Sequence, residues 1–75
     1  MYKETFSQKL KQARKDAGLT QQEVETMTGI KQQNLCKYES GKLEPNIETL
    51  GILCDLYYVS ADWLIGTKGN NIISA

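Results

Sequence analysis

Seventy-five residues with nine Lys/Arg against nine Asp/Glu, two cysteines and no histidine make one small domain at most. A chain of this size buries only about 60% of its unfolded surface, which leaves no room for a deep catalytic cleft. Catalysis is disfavoured further because Cys36 lacks a histidine as general base, no glycine-rich phosphate loop exists, and no carboxylate pair shares an evident cleft.

Cys36 and Cys54 alone cannot complete a zinc site, so no metal, cofactor or small-molecule substrate is expected. The N-terminus does not read as a secretory leader, and the longest apolar run falls far short of the ~20 residues of a membrane span. Together these features predict a reducing, cytoplasmic setting without membrane attachment. A net charge of zero and a pI near 6.2 argue against nucleic-acid binding by bulk electrostatics alone. The charges are nevertheless polarised: residues 1–43 hold eight Lys/Arg against five Asp/Glu, and residues 44–75 one against four. An anionic partner would approach the N-terminal half.

In chain order, Phe6, Leu10, Ala13 and Ala17 lay one apolar stripe along a first helix that Gly18 stops. "LTQQEV" then specifies a second helix: Thr20 is an N-cap, Glu23 closes a capping box, and Leu19 and Val24 occupy the positions of a hydrophobic staple. Gly29 ends it near Thr28, Ile30 turns inward, and a third helix runs from about Gln32 to Gly41. Pro45 forbids a helical Glu44, and Asn46 caps a fourth helix whose buried stripe is Ile47, Leu50, Leu53, Cys54 and Tyr57. Ser60 caps a fifth, again with a staple, Val59 to Leu64, while Trp63 and Tyr57 belong to the core or to a dimer seam. No segment alternates with period two, so the expected fold is a compact all-α bundle of five short helices over residues 1–66. Residues 67–75 form a tail that is flexible or lies at a dimer contact.

On a helical wheel Gln32, Gln33, Cys36, Lys37 and Ser40 share one side within an arc of about 140°, while Leu35, Tyr38 and Glu39 face the body. An inward carboxylate needs a partner, and the single arginine, Arg14, on the first helix is the candidate for a bidentate pair. Two short helices joined by a glycine turn, the second presenting amides outward at its N-terminal end, match a helix-turn-helix that reads DNA in the major groove. A glutamine amide complements N6 and N7 of adenine. The N-termini of the second and third helices are expected to offer free backbone N–H groups to phosphates.

The segments "LKQARKDAGLTQQEV", "TGIKQQNLCKYESGK", "EPNIETL" and "VSADWLIG" resemble, in order and spacing, the helix-turn-helix domains of the phage Cro and C1 repressor type, a family of bacteria and their phages. The resemblance spans about residues 6–66 and implies a lambda-repressor-like fold and a sequence-specific transcriptional regulator. Such a regulator is usually a homodimer on a palindromic double-stranded operator, and it acts here by repression through occupancy. It implies that Gln32, Gln33 and Lys37, with Cys36 on the same face, read base edges. Gln21 and Lys42, with Lys31 and Ser40 flanking the helix, would hold phosphates, and Arg14 and Glu39 would pair structurally. Three positions depart from the family pattern. Glu25 replaces a small residue and predicts looser or shifted packing of the two motif helices; Lys31 replaces a Ser or Thr cap; Tyr58 stands where Gly or Asn often takes a left-handed conformation.

Bland alternatives accompany each assignment. The glutamines are also what a solvated helix start would carry, Lys37 and Lys42 are also ordinary surface lysines, and most cysteines are inert packing groups. At the level of the whole chain, the rival to a DNA-binding regulator is a protein-interaction module or antitoxin-like adaptor built on the same bundle.

Overall fold

The structure, a computed structural model, describes residues 2–66, the side chain of Lys3 excepted. The expectation for the 67–75 tail lies outside the described residues. Five helices follow one another, α1 (Tyr2–Asp16), α2 (Gln21–Thr28), α3 (Gln32–Glu39), α4 (Ile47–Tyr57) and α5 (Ala61–Ile65), with no strand among the described residues. This is the all-α, five-helix architecture expected from the periodicities.

Leu10, Val24, Leu35, Leu53 and Leu64, contributed by all five helices, are fully buried at the centre. The long α1 packs against α3, α4 and α5, and α2 packs against α3, so the third helix is held from two sides. Helix starts are set locally. Thr20 Oγ1 accepts the Glu23 N–H while Glu23 Oε1 accepts the Thr20 N–H, which is the complete capping box. Asn46 Oδ1 and Ser60 Oγ likewise accept the N–H groups of Thr49 and Trp63. Gly29, at φ 82°, ends α2 in the left-handed conformation that costs glycine nothing and lets the chain reverse into α3.

Three sequence expectations require correction. Ala17 is exposed, because α1 ends at Asp16 and its stripe stops at Ala13. Ile47 is 87% exposed: it opens the first turn of α4, where no other element lies over it, and the buried stripe begins only at half-buried Leu50. Of the looser or shifted packing expected at Glu25, the looser form is not seen, since Val24 and Leu35 on either side of the turn are both fully buried and the Glu25 side chain reaches over the turn to the Gln32 N–H. Tyr58 takes the left-handed conformation (φ 59°, ψ 46°) while 96% exposed, a strained backbone in an otherwise unconstrained side chain. Tyr57 is core, whereas Trp63 is partly exposed beneath Lys9, whose Nζ lies 5.0 Å from the ring centroid and donates to the Trp63 carbonyl at 3.0 Å.

Candidate nucleic-acid interface

The inner side of α3 is fixed by Leu35 and Tyr38 in the core and by Glu39, whose side chain is only 3% accessible. Arg14 reaches Glu39 from α1 in the bidentate geometry expected: Nε donates to Oε2 at 2.8 Å and Nη2 to Oε1 at 3.1 Å. Its Nη1 donates to the Leu19 carbonyl at 2.8 Å, so one guanidinium ties α3 to the link between α1 and α2. Hydrogen bonding to Glu39 raises the Arg14 pKa and burial lowers it, with a net upward shift that keeps the guanidinium charged. A buried charge this well paired is held in place because removing either partner strands the other.

Gln21 belongs to this buried cluster. Its Nε2 donates to Glu39 Oε1 at 3.0 Å and the residue is half-buried, so part of the hydrogen-bonding capacity expected to serve phosphates is turned inward. Tyr57 also feels the pair. Burial pushes its hydroxyl up to about 12, with Glu39 adding to the shift and Arg14 opposing it, and that hydroxyl is buried without a hydrogen-bond partner. Cys54 is buried, and desolvation raises its thiol, helped by Asp55; Cys36 is exposed on α3.

The outer side of α3 presents Lys31, Gln32, Gln33, Cys36, Lys37 and Ser40, all exposed, with exposed Lys42 just beyond. The residues expected to share the outward side of the helix are thus all exposed along α3 and at its ends. The Ser40 hydroxyl donates back to the Lys37 carbonyl at 3.2 Å, and the N–H of Lys42 returns to the same carbonyl at 2.9 Å, so the C-terminal end of the face is closed on itself. Its N-terminal end borders a shallow depression lined by Glu25, Lys31, Gln32, Gln33 and Asn34. Asn34, which the periodicity argument leaves out, is a half-buried member of that rim.

At the helix N-termini part of the donor set expected to meet phosphates is already committed. The N–H groups of Thr20 and Glu23 are used within the capping box of α2, and the Gln32 N–H at the start of α3 donates to Glu25 Oε1 at 2.8 Å. These donors are not free for an external anion. The resemblance assigned Gln21 to a phosphate, and neither its bond to Glu39 nor the role of Glu25 as an acceptor was legible, because the partners stand 18 and 7 residues away in the chain.

Among the described residues no helix is long and apolar enough to cross a membrane, and no cluster of three or more His, Cys, Asp or Glu stands ready for a metal ion. A family model described as helix-turn-helix matches residues 10–64. The chain is 40% identical over 60 residues to an SPbeta prophage-derived uncharacterized HTH-type transcriptional regulator, YonR, and 40% over 62 residues to the HTH-type transcriptional regulator ImmR, both of Bacillus subtilis. Those alignments cover 80% and 83% of this chain but 56% and 49% of the two regulators, so the chain spans about half the length of the curated relatives it matches. A 40% identity over 63 residues also links 83% of this chain to 6% of a glutamine–fructose-6-phosphate aminotransferase of Methanocaldococcus jannaschii. So small a share of that protein carries the likeness of a helical module and no argument for its chemistry.

Proposed function

This chain belongs to the helix-turn-helix family of the Cro/C1 type, and from that premise we propose that it is the DNA-binding unit of a transcriptional regulator, inserting α3 into the major groove of an operator. One observation carries the reading: two adjacent glutamines and a lysine stand exposed on the outer side of a helix whose inner side is locked by the Arg14–Glu39 pair. Gln32, Gln33 and Lys37 meet base edges, with Cys36 against them, and Lys31, Ser40 and Lys42 meet phosphates on the flanks. Gln21, with one amide hydrogen committed to Glu39, reaches a phosphate only with what remains.

A homodimer on a palindromic site follows from the small footprint of one eight-residue reading helix, and the uncovered Ile47 and Tyr58 supply apolar surface for a partner copy. Paired α3 helices would then lie about 34–36 Å apart, one turn of duplex. Regulation is by occupancy, as a repressor, in the cytoplasm. Selection of random duplexes by the purified protein, followed by a salt titration, tests the reading. A preferred duplex is expected, with a log–log salt slope of about −0.9 per phosphate neutralised. No preferred duplex together with a flat salt response would favour the protein-interaction module instead.

A further inference from the structure

We infer that Glu25 is a positioning residue for DNA reading: its carboxylate, reaching across the turn from α2, caps α3 in place of Lys31 and thereby sets where Gln32 and Gln33 stand. The inference rests on the DNA-reading assignment for α3.

A helix begins with N–H groups that have no partner inside it, and an acceptor must be found nearby. In α2, α4 and α5 the residue before the helix supplies one, through the Thr20, Asn46 and Ser60 side chains. The start of α3 is different. Lys31 has the extended backbone of a cap (φ −61°, ψ 135°) and makes no side-chain cap bond, because an ammonium has donors only. Glu25 Oε1 supplies an acceptor to the start of α3 from outside: it lies 2.8 Å from the nitrogen of Gln32, the first residue of the helix, whereas the other three caps accept from the third. The same residue's backbone carbonyl accepts the Gly29 N–H at 2.8 Å, the bond that closes α2. Glu25 thus grips both sides of the turn, ending one helix with its main chain and starting the next with its side chain.

The anchored N–H belongs to Gln32 itself, one of the two amides assigned to base contact. Side chains that read a ligand must be held to within about 0.5 Å, so slack at this N–H is slack in the reading group. A carboxylate is also favoured at a helix N-terminus, and it fills the place a phosphate would otherwise take. Its negative charge lines the same depression as Lys31, Gln33 and Asn34. Recognition at this end of α3 therefore leans on side-chain amides, and indiscriminate phosphate binding there is weakened.

A double-mutant cycle isolates the effect. Preference is measured as affinity for the selected duplex over affinity for random duplex, in the parent, Glu25→Ala, Lys31→Thr and the double variant. Loss of one cation in Lys31→Thr weakens binding to every duplex, so the ratio is the proper readout. With Lys31 present, Glu25→Ala should lower the ratio about fivefold, the scale of a lost cap. In the Lys31→Thr background a hydroxyl can cap from the position before the helix, and the same change should cost no more than about twofold. Glu25→Gln keeps an acceptor oxygen, so it should hold the preference while raising affinity for all duplexes. Hydrogen exchange at the Gln32 amide gives a second readout without DNA: faster in Glu25→Ala whatever stands at position 31, because a threonine hydroxyl there serves the N–H of Gln33 or Asn34 and not that of Gln32. An equal cost of Glu25→Ala in both backgrounds, or an unchanged ratio, overturns the inference. A parent that prefers no duplex overturns the DNA reading and the role of Glu25 in it, while exchange at Gln32 reports separately whether the cap exists.

Discussion

The two sides of α3 divide stability from the proposed recognition within eight residues. The inner side carries Leu35, Tyr38 and Glu39, the last engaged by three hydrogen bonds from Arg14 and Gln21. The outer side carries Gln32, Gln33, Cys36 and Lys37, all exposed. A reading surface can vary freely only if the helix beneath it is held by groups that do not take part in reading. The contrast teaches that a single short helix can meet both demands because its periodicity sends neighbouring residues to opposite sides.

The most severe way to break this division is from the inside. Glu39→Ala leaves the Arg14 guanidinium buried with the Leu19 carbonyl alone and strands the Gln21 amide, and the expected loss is about 3–5 kcal/mol of stability in urea unfolding. For so small a domain that removes most or all of the folded population. DNA affinity should then fall only as the folded fraction falls, a proportionality that titration in stabilising osmolyte would check.

Alkali probes the inner side more gently. Tyr57 has a folded-state pKa raised to about 12 by burial, against about 10 for an exposed phenol. Below pH 10 the hydroxyl is neutral in folded and unfolded chains alike and stability is fully present. Between pH 10 and 12 only the unfolded chain ionises, so the folded state should lose about 2–3 kcal/mol as pH rises. Tyr57→Phe should abolish that component, and at neutral pH should be neutral or slightly stabilising, because the hydroxyl it deletes is buried without a partner. An unchanged alkaline slope in the Phe variant would place the titration elsewhere.

From the outside the effects should be smaller and of a different kind. Gln32→Ala is expected to cost about 1–3 kcal/mol of discrimination against mismatched duplexes while moving unfolding stability by less than about 0.5 kcal/mol. A stability loss as large as the loss of discrimination would erase the distinction between the two sides. Smallest of all, Tyr58→Gly relieves a left-handed tyrosine that belongs to neither side of α3, and should stabilise by about 0.5–1 kcal/mol with the same duplex preference. A drop in dimer formation in that variant would instead assign the exposed ring to the contact between copies.

Much of the fold was legible because its signals are local. The capping box of Thr20 and Glu23, the caps Asn46 and Ser60 and the left-handed Gly29 each involve residues within one turn of the chain, whose spacing backbone geometry dictates. The Arg14–Glu39 pair was legible for a different reason: the chain has one arginine, and an inward carboxylate on α3 required a cation. Ile47 was misread because periodicity gives the phase of a stripe and not how far the neighbouring elements extend over it.

By itself, then, the sequence determined the five helices, their caps and which side of α3 faces outward, since hydrogen bonds and side-chain directions over three or four residues follow from the helix itself. Only the tertiary structure decided that Gln21 turns to Glu39 and that Glu25 caps the following helix. Those contacts depend on where the axes of α2 and α3 come to rest, and that is set by burying Val24 and Leu35 together, a balance of packing that no local spacing encodes.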